Sequence, residues 1–285
     1  MIIDKLVQEA IKCSPICLGL DTQSSYLPVF MLNEDKTLGD KIYQFNKEII
    51  DHTADLVACY KVQIAYYEAL GVEGLQAYAK TLKYIKEKKK IVIADIKRGD
   101  IAATGQMYAK GHFEGDFEAD IVTLNAYMGE DAVSPFYSYL KDKDKGMFIL
   151  LKTSNPSAKE TQDVVCEGQA YYKHMAKLIE KWGRNYVGNS GFSAIGAVVG
   201  LTYPREFEII QDMLPNTFFL VPGYGAQGGT GEDIGKILKK SRCAVINSSR
   251  GLITAHKGID EGINYCEKIR SATISMKEDL AHWLK

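Results

Sequence analysis

Eight short apolar runs recur along this chain, each bounded by turn residues and separated from the next by a helical pattern. They are ICLGLD (16–21), LVACYK (56–61), IVIADIK (91–97), ADIVTLNA (119–126), GMFILLKTS (146–154), AIGAVVGLT (194–202), TFFLVPG (217–223) and CAVINSS (243–249). Most are apolar almost without interruption, the pattern of parallel strands buried on both faces. The stretches between them, such as GDKIYQFNKEIIDHTA, VEGLQAYAKTLKYIKEK and EGQAYYKHMAKLIEKWG, repeat their apolar residues at helical spacing. Eight strand–helix alternations in 285 residues predict an α/β fold, a (β/α)8 TIM barrel rather than a doubly wound sheet. No Pro/Ser-rich linker, internal repeat or low-complexity tract interrupts the series, so residues 1–285 are read as a single domain.

Composition narrows the partners. The formal net charge is -1, which argues against nucleic acid as a bulk electrostatic partner but leaves room for a small anion held by a few local cations. No run approaches the roughly 20 apolar residues of a membrane helix. The start, MIIDKLVQEAIKC, places acids inside a helical pattern and lacks a basic start with an apolar core, so it does not read as a signal peptide. Six scattered cysteines with no C-x-x-C pair predict reduced thiols in a cytoplasm. The basic run KEKKK (86–90) reads as the solvated end of a helix.

In barrels of this kind, chemistry sits at the C-terminal ends of the strands. Those ends carry Asp21, Lys61, Asp95, Lys97 and, just beyond, Asp100. Asn125, the Lys152–Ser154 step, Thr202 and the Ser248–Arg250 step follow. Asp95 and Lys97 are two residues apart, so in a regular strand they share a face. Lys61, Asp95, Lys97 and Asp100 together predict a network of alternating charge, whose desolvation a purely structural role does not offset.

The loop PGYGAQGGTG (222–231) contains G-x-G-x-x-G at Gly223, Gly225 and Gly228. A dinucleotide-binding reading fails on context, because the loop follows the seventh strand and no acid for a ribose ends the next one. A Walker loop fails as well, since Gly235-Lys236 is followed by Ile237. Barrels often bind phosphate with the loops after strands seven and eight. With Arg250 in the SSRG step supplying a guanidinium fork, a phosphorylated small molecule is the expected ligand. His112, Glu114, Asp116 and Glu118 in HFEGDFEAD read as a solvated helix face rather than a metal site, and no Ser-His-Asp arrangement is found.

The motifs at these strand ends resemble a known family. ADIKRGDIAAT (94–104) resembles the D-x-K-x-x-D signature of orotidine 5'-phosphate decarboxylases. LGLD, YKVQIAYYE, LKTSNP and VPGYGAQGG match that family's other strand-end blocks in order, from residue 16 to about 251. The long segments after Asp100 and between Pro156 and Ala194 resemble the longer bacterial branch.

The resemblance implies cofactor-independent decarboxylation of orotidine 5'-monophosphate to UMP, the final step of pyrimidine nucleotide synthesis. It makes Lys97 the proton donor to C6 and sets Asp95 against the substrate carboxylate, with Lys61 and Asp100 completing the charge network. It implies a homodimer in which Asp100, accompanied by Ile101 and Thr104, reaches into the neighbouring subunit. Asp21 would bind ribose hydroxyls, Ser154 the pyrimidine edge, and Gln227 with Arg250 the phosphate. Two other readings stand beside it: a Mg-dependent sugar-phosphate lyase or decarboxylase on the same barrel, and a non-catalytic phosphate-ligand sensor. Arg98 and the segment 157–192 receive no role from their sequence.

Overall fold

All eight apolar runs form strands: β1 (Ile16–Gly19), β2 (Cys59–Gln63), β3 (Ile91–Arg98), β4 (Ile121–Leu124), β5 (Gly146–Lys152), β6 (Ser193–Val199), β7 (Thr217–Pro222) and β8 (Ala244–Ser248). Each pairs in parallel with the next, and β8 closes on β1 to complete the barrel. The structure is a computed structural model that describes residues 1–201, 204–225, 228–241 and 243–284. Among these, no helix is long and apolar enough to cross a membrane.

The helices between strands form where one apolar stripe meets the barrel. Helix Leu38–Thr53 starts at Thr37, whose side chain accepts the Asp40 N–H (3.1 Å), and buries Ile42, Phe45, Ile49 and Ile50 along one face. Each such side chain contributes roughly 1.5–3 kcal/mol by leaving water. The end of this helix also shifts the following strand. Leu56 donates its N–H to the Thr53 carbonyl (2.9 Å) in a turn, so residues 54–58 separate the helix from β2, which begins at Cys59, later than the apolar run suggests. The strand then extends to Gln63, with consequences for the site.

Helix Ile2–Lys12 closes the N-terminal end of the barrel. Its Ile2, Ile3 and Leu6 pack in one cluster with Cys17, Cys59, Ile91, Phe148 and Phe218 from the strands. The basic run 86–90 ends helix Gly71–Glu87 as expected, but Lys90 is not solvated: it donates to Glu9 (2.6 Å) and to the Val57 carbonyl (3.0 Å). All six cysteines are free, and Cys17, Cys59, Cys243 and Cys266 are buried.

Candidate active site

A cleft of about 810 Å³ opens at the C-terminal ends of the strands. Leu150, Val198 and Leu220, from β5, β6 and β7, line it with apolar surface. Asp21 from the loop after β1, Lys61 from β2, and Asp95 and Lys97 from β3 line it with charge. A smaller cavity of about 280 Å³ lies at the opposite end, beside Pro15, Ala244 and Leu284. The strand-end chemistry is therefore gathered in the larger one.

The charges form a continuous chain. Lys61 Nζ lies 2.9 Å from Asp21 Oδ1 and 3.1 Å from Asp95 Oδ2, and Lys97 Nζ lies 2.6 Å from Asp95 Oδ1. Lys61 and Asp95 are buried, whereas 45% of the Lys97 side chain is exposed toward the cleft. Burial by itself raises the Asp95 carboxyl, but the Lys61 and Lys97 cations and the hydrogen bonds from Lys97 and Thr123 outweigh it. The carboxyl is held well below the usual range. For Lys61, burial works downward, and the charges of Asp21 and Asp95 overcome it to raise the ammonium well above its ordinary value. Both groups are therefore charged at neutral pH.

Two residues in this array escaped the sequence reading. Gln63 donates from Nε2 to Asp95 Oδ2 (3.0 Å), because the parallel register sets Gln63 opposite Asp95. Thr123 donates from Oγ1 to Asp95 Oδ1 (2.8 Å) and accepts the Lys97 N–H (3.0 Å). The signals were present: Gln63 lies two residues past Lys61, and Thr123 is the polar residue within IVTL. Together with Lys97 they give the carboxylate three donors beside the Lys61 cation, so its orientation is fixed.

Lys97 reaches Asp95 by a route that strand periodicity does not provide. Pairing between β3 and β4 shifts register between Ala94 and Arg98, and Lys97 adopts φ +47. A non-glycine residue in the left-handed region costs on the order of 1–3 kcal/mol and persists where its surroundings over-determine it. The bulge re-aims Lys97. Gly99, which follows, packs so closely that a Cβ there would lie 2.2 Å from the Asn125 carbonyl oxygen.

The loop carrying Asp21 is held from behind. Tyr67 donates to the Leu20 carbonyl (3.0 Å) and accepts from Asn46 (2.8 Å), whose amide oxygen in turn accepts from Thr22 (2.7 Å). Across the cleft, Gly223 (φ +120) and Gly225 (φ +71) take conformations that a side chain would strain, and Tyr224 donates to Asp279 (2.7 Å). Gly223, Tyr224, Ser249 and Arg250 line this rim. Gln227 and Thr202 lie outside the described residues.

Ser154 lines the cleft, together with part of the segment that follows. Pro156–Ala158 and the helix Lys159–Gln162 fold back so that Ser157, Thr161 and Gln162 form a wall. Gln162 accepts the Thr153 N–H (2.9 Å), and the buried Lys152 pairs with Asp163. The segment 157–192 thus begins as cleft wall, continues through a small ribbon (Val165–Cys166 with Gln169–Ala170) and becomes the barrel helix Tyr171–Gly183.

Asp100, Ile101 and Thr104 do not line this chain's cleft. Asp100 Oδ1 accepts the Ile101 N–H (2.8 Å), and Ile101 and Thr104 are exposed. Within one chain the alternating network therefore comprises Asp21, Lys61, Asp95 and Lys97, with Asp21 where the sequence suggested Asp100. Asn125 lies away from the cleft and accepts the Tyr127 N–H (3.1 Å).

His112 and Asp116 share no helix face, because the helix Ala102–Phe113 ends between them. Glu118 is taken by Lys145 and Lys86 (2.7 Å each) and Glu114 by Tyr139 (3.1 Å). Among the described residues no three His, Cys, Asp or Glu side chains converge as a metal ligand set. His112 itself is buried, and burial with the Arg98 cation lowers it from 6.5 to about 4. Between these values the unfolded chain binds a proton that the folded chain does not, so stability falls as pH drops through this window. His112→Phe removes that dependence. Denaturant titrations at pH 7 and pH 5 are expected to show the wild type losing about 2 kcal/mol more than the variant. Equal losses exclude His112 as the source.

Comparison with known proteins follows the same lines as the site. The sequence profile of the orotidine 5'-phosphate decarboxylase / HUMPS family matches residues 14–261. The orotidine 5'-phosphate decarboxylase of Clostridium kluyveri is 50% identical over 282 residues, covering 98% of this chain and 97% of that protein. That of Clostridium perfringens is 46% identical over 281 residues, covering 98% of each. The structure of Leishmania donovani OMP decarboxylase superposes with a TM-score of 0.78 at 27% identity, covering 99% of this chain and 98% of that one. Identity at this level along nearly the whole length goes beyond a shared barrel, and the chain belongs to the orotidine 5'-phosphate decarboxylase / HUMPS family.

Proposed function

We propose that this protein decarboxylates orotidine 5'-monophosphate to UMP and carbon dioxide, completing pyrimidine nucleotide synthesis without a cofactor. The observation that carries this reading is the unbroken chain Asp21–Lys61–Asp95–Lys97 at one wall of the cleft. The reaction breaks the bond between C6 and the carboxylate, leaving the electron pair on C6 of a ring that cannot easily delocalise it. An ammonium already fixed beside that carbon stabilises the developing charge, then transfers its proton to C6. Lys97 takes this role, held by Asp95 at 2.6 Å. Lys97 is left as a neutral amine, to be reprotonated from water.

Asp95, ionised and unable to turn, faces the departing carboxylate. Lys61 pairs with both Asp21 and Asp95 and keeps Asp95 charged. Asp21 takes the ribose hydroxyls and Ser154 the pyrimidine edge. Arg250 takes the phosphate with Gln227, and the glycine loop frees backbone N–H groups beside them. Phosphate binding far from C6 supplies energy that orients the ring against Lys97.

The working unit in this reading is a cytoplasmic homodimer. Ile101 and Met107, next to Asp100 in the chain, and Tyr127 and Met128 after β4 are exposed apolar residues, which suits burial against a second copy. The free, largely buried cysteines suit a reducing compartment. The test is a spectrophotometric assay of orotidine 5'-monophosphate turnover in the presence of a chelator, where undiminished activity is expected. A requirement for added Mg2+ favours a metal-dependent lyase, and absence of turnover favours a ligand sensor.

A further inference from the structure

Arg98 stands next to the candidate proton donor yet does not line the cleft. Its guanidinium joins three elements. Nη2 donates to Glu68 Oε1 (2.5 Å) at the end of the helix Ala65–Glu68 that follows β2. Nη1 donates to the Ile96 carbonyl (3.3 Å), within β3. The group also lies over the Tyr108 ring, 5.6 Å from its centre, on the helix Ala102–Phe113 that follows Asp100. Its backbone carbonyl accepts the Asn125 N–H (2.8 Å), where pairing with β4 resumes after the register shift.

Ile96 lies between Asp95 and Lys97, in the interval where the ladder to β4 is interrupted. The Arg98 fork therefore meets a backbone carbonyl inside the bulge and ties it to the Glu68 carboxylate outside the cleft. Two residues in the left-handed region, Lys97 (φ +47) and Ala102 (φ +48), flank the stretch that carries Arg98. A planar guanidinium can serve Glu68, Ile96 and the Tyr108 face at once, which a lysine ammonium cannot.

We propose that Arg98 is a positioning residue: it holds the bulge that presents the Lys97 ammonium to Asp95, and so acts on the reaction through Lys97. This rests on the decarboxylase reading above. Lys97 and its placement matter for the chemical step, whereas the ribose and phosphate contacts lie on other strands. Loss of the brace therefore lowers kcat and spares binding.

The experiment compares the wild type with Arg98→Met, Arg98→Lys and Glu68→Gln. It measures kcat for orotidine 5'-monophosphate, the Kd of UMP by calorimetry, and thermal stability. Arg98→Met is expected to lower kcat about 10²-fold, the scale of a small misplacement of a reacting group, with UMP affinity within about threefold of the wild type. Arg98→Lys is expected to recover part of kcat through Glu68. Should Arg98→Met fail to fold, Glu68→Gln carries the test, since it loosens the same brace from its far end; its kcat is expected to fall about tenfold with UMP affinity kept. A kcat within about threefold of the wild type in the folded variants overturns the inference, as does a fall in kcat matched by an equal loss of UMP affinity. Failure of the wild type to turn over the nucleotide instead overturns the decarboxylase reading.

Discussion

Replacing Lys97 by alanine is expected to lower kcat/KM for orotidine 5'-monophosphate by at least about 10⁴-fold, because one side chain carries two effects at once. In the proposed mechanism its ammonium stabilises the negative charge that develops at C6, then delivers the proton that quenches that charge. General acid catalysis alone is worth about 10²–10⁴-fold, and a fixed electrostatic donor about 10²–10³-fold. Lys97→Arg separates the two, since arginine keeps the positive charge but does not release a proton. It is expected to remain close to the alanine variant in rate. Both variants should still bind UMP, because Asp21, Ser154 and Arg250 line other parts of the cleft. Steady-state kinetics with calorimetric UMP titration makes the comparison. Either variant retaining more than about a hundredth of wild-type kcat/KM removes Lys97 from the proton-transfer role.

The second large effect concerns Asp100, which lies outside its own chain's cleft and beside exposed Ile101. If it completes the site of a second copy, Asp100→Ala lowers kcat at least about 10²-fold, as loss of a fixed electrostatic group does. The distinguishing result comes from mixing. In a heterodimer of Lys97→Ala and Asp100→Ala chains, one site lacks both residues and the other has both. Equal mixing with free subunit exchange therefore restores about a quarter of wild-type activity per protein, whereas action within one chain restores none. Differently tagged chains allow the heterodimer to be purified before assay. An inactive, doubly tagged heterodimer rules out the cross-subunit placement.

The expectation that Asp95 and Lys97 share the cleft rested on strand periodicity, and they do meet there. The reason is different. A register shift and a left-handed residue place Lys97, so the alternation that pointed to the pair does not describe its geometry. Gln63 and Thr123 were missed because neither is unusual in its own strand: each matters only through a neighbour brought beside it by barrel register. Arg98, without a role in the sequence, acquires one from a carboxylate thirty residues earlier.

The sequence by itself determined the barrel and the end of it that carries chemistry. Parallel strands buried on both faces must be apolar throughout and joined by crossover helices, so a pattern along one dimension is enough to specify them. Polar groups at the C-terminal strand ends stand out against that apolar background, and Asp21, Lys61, Asp95, Lys97, Ser154 and Arg250, read from it as candidates, all line one cleft. Only the tertiary structure decided which of these meet. It set three donors and the Lys61 cation around Asp95, turned Asp100 away from its own cleft, and folded residues 157–162 back as a wall. Those outcomes depend on inter-strand register, a local bulge and contacts between residues far apart in the chain, none of which hydrophobic spacing encodes.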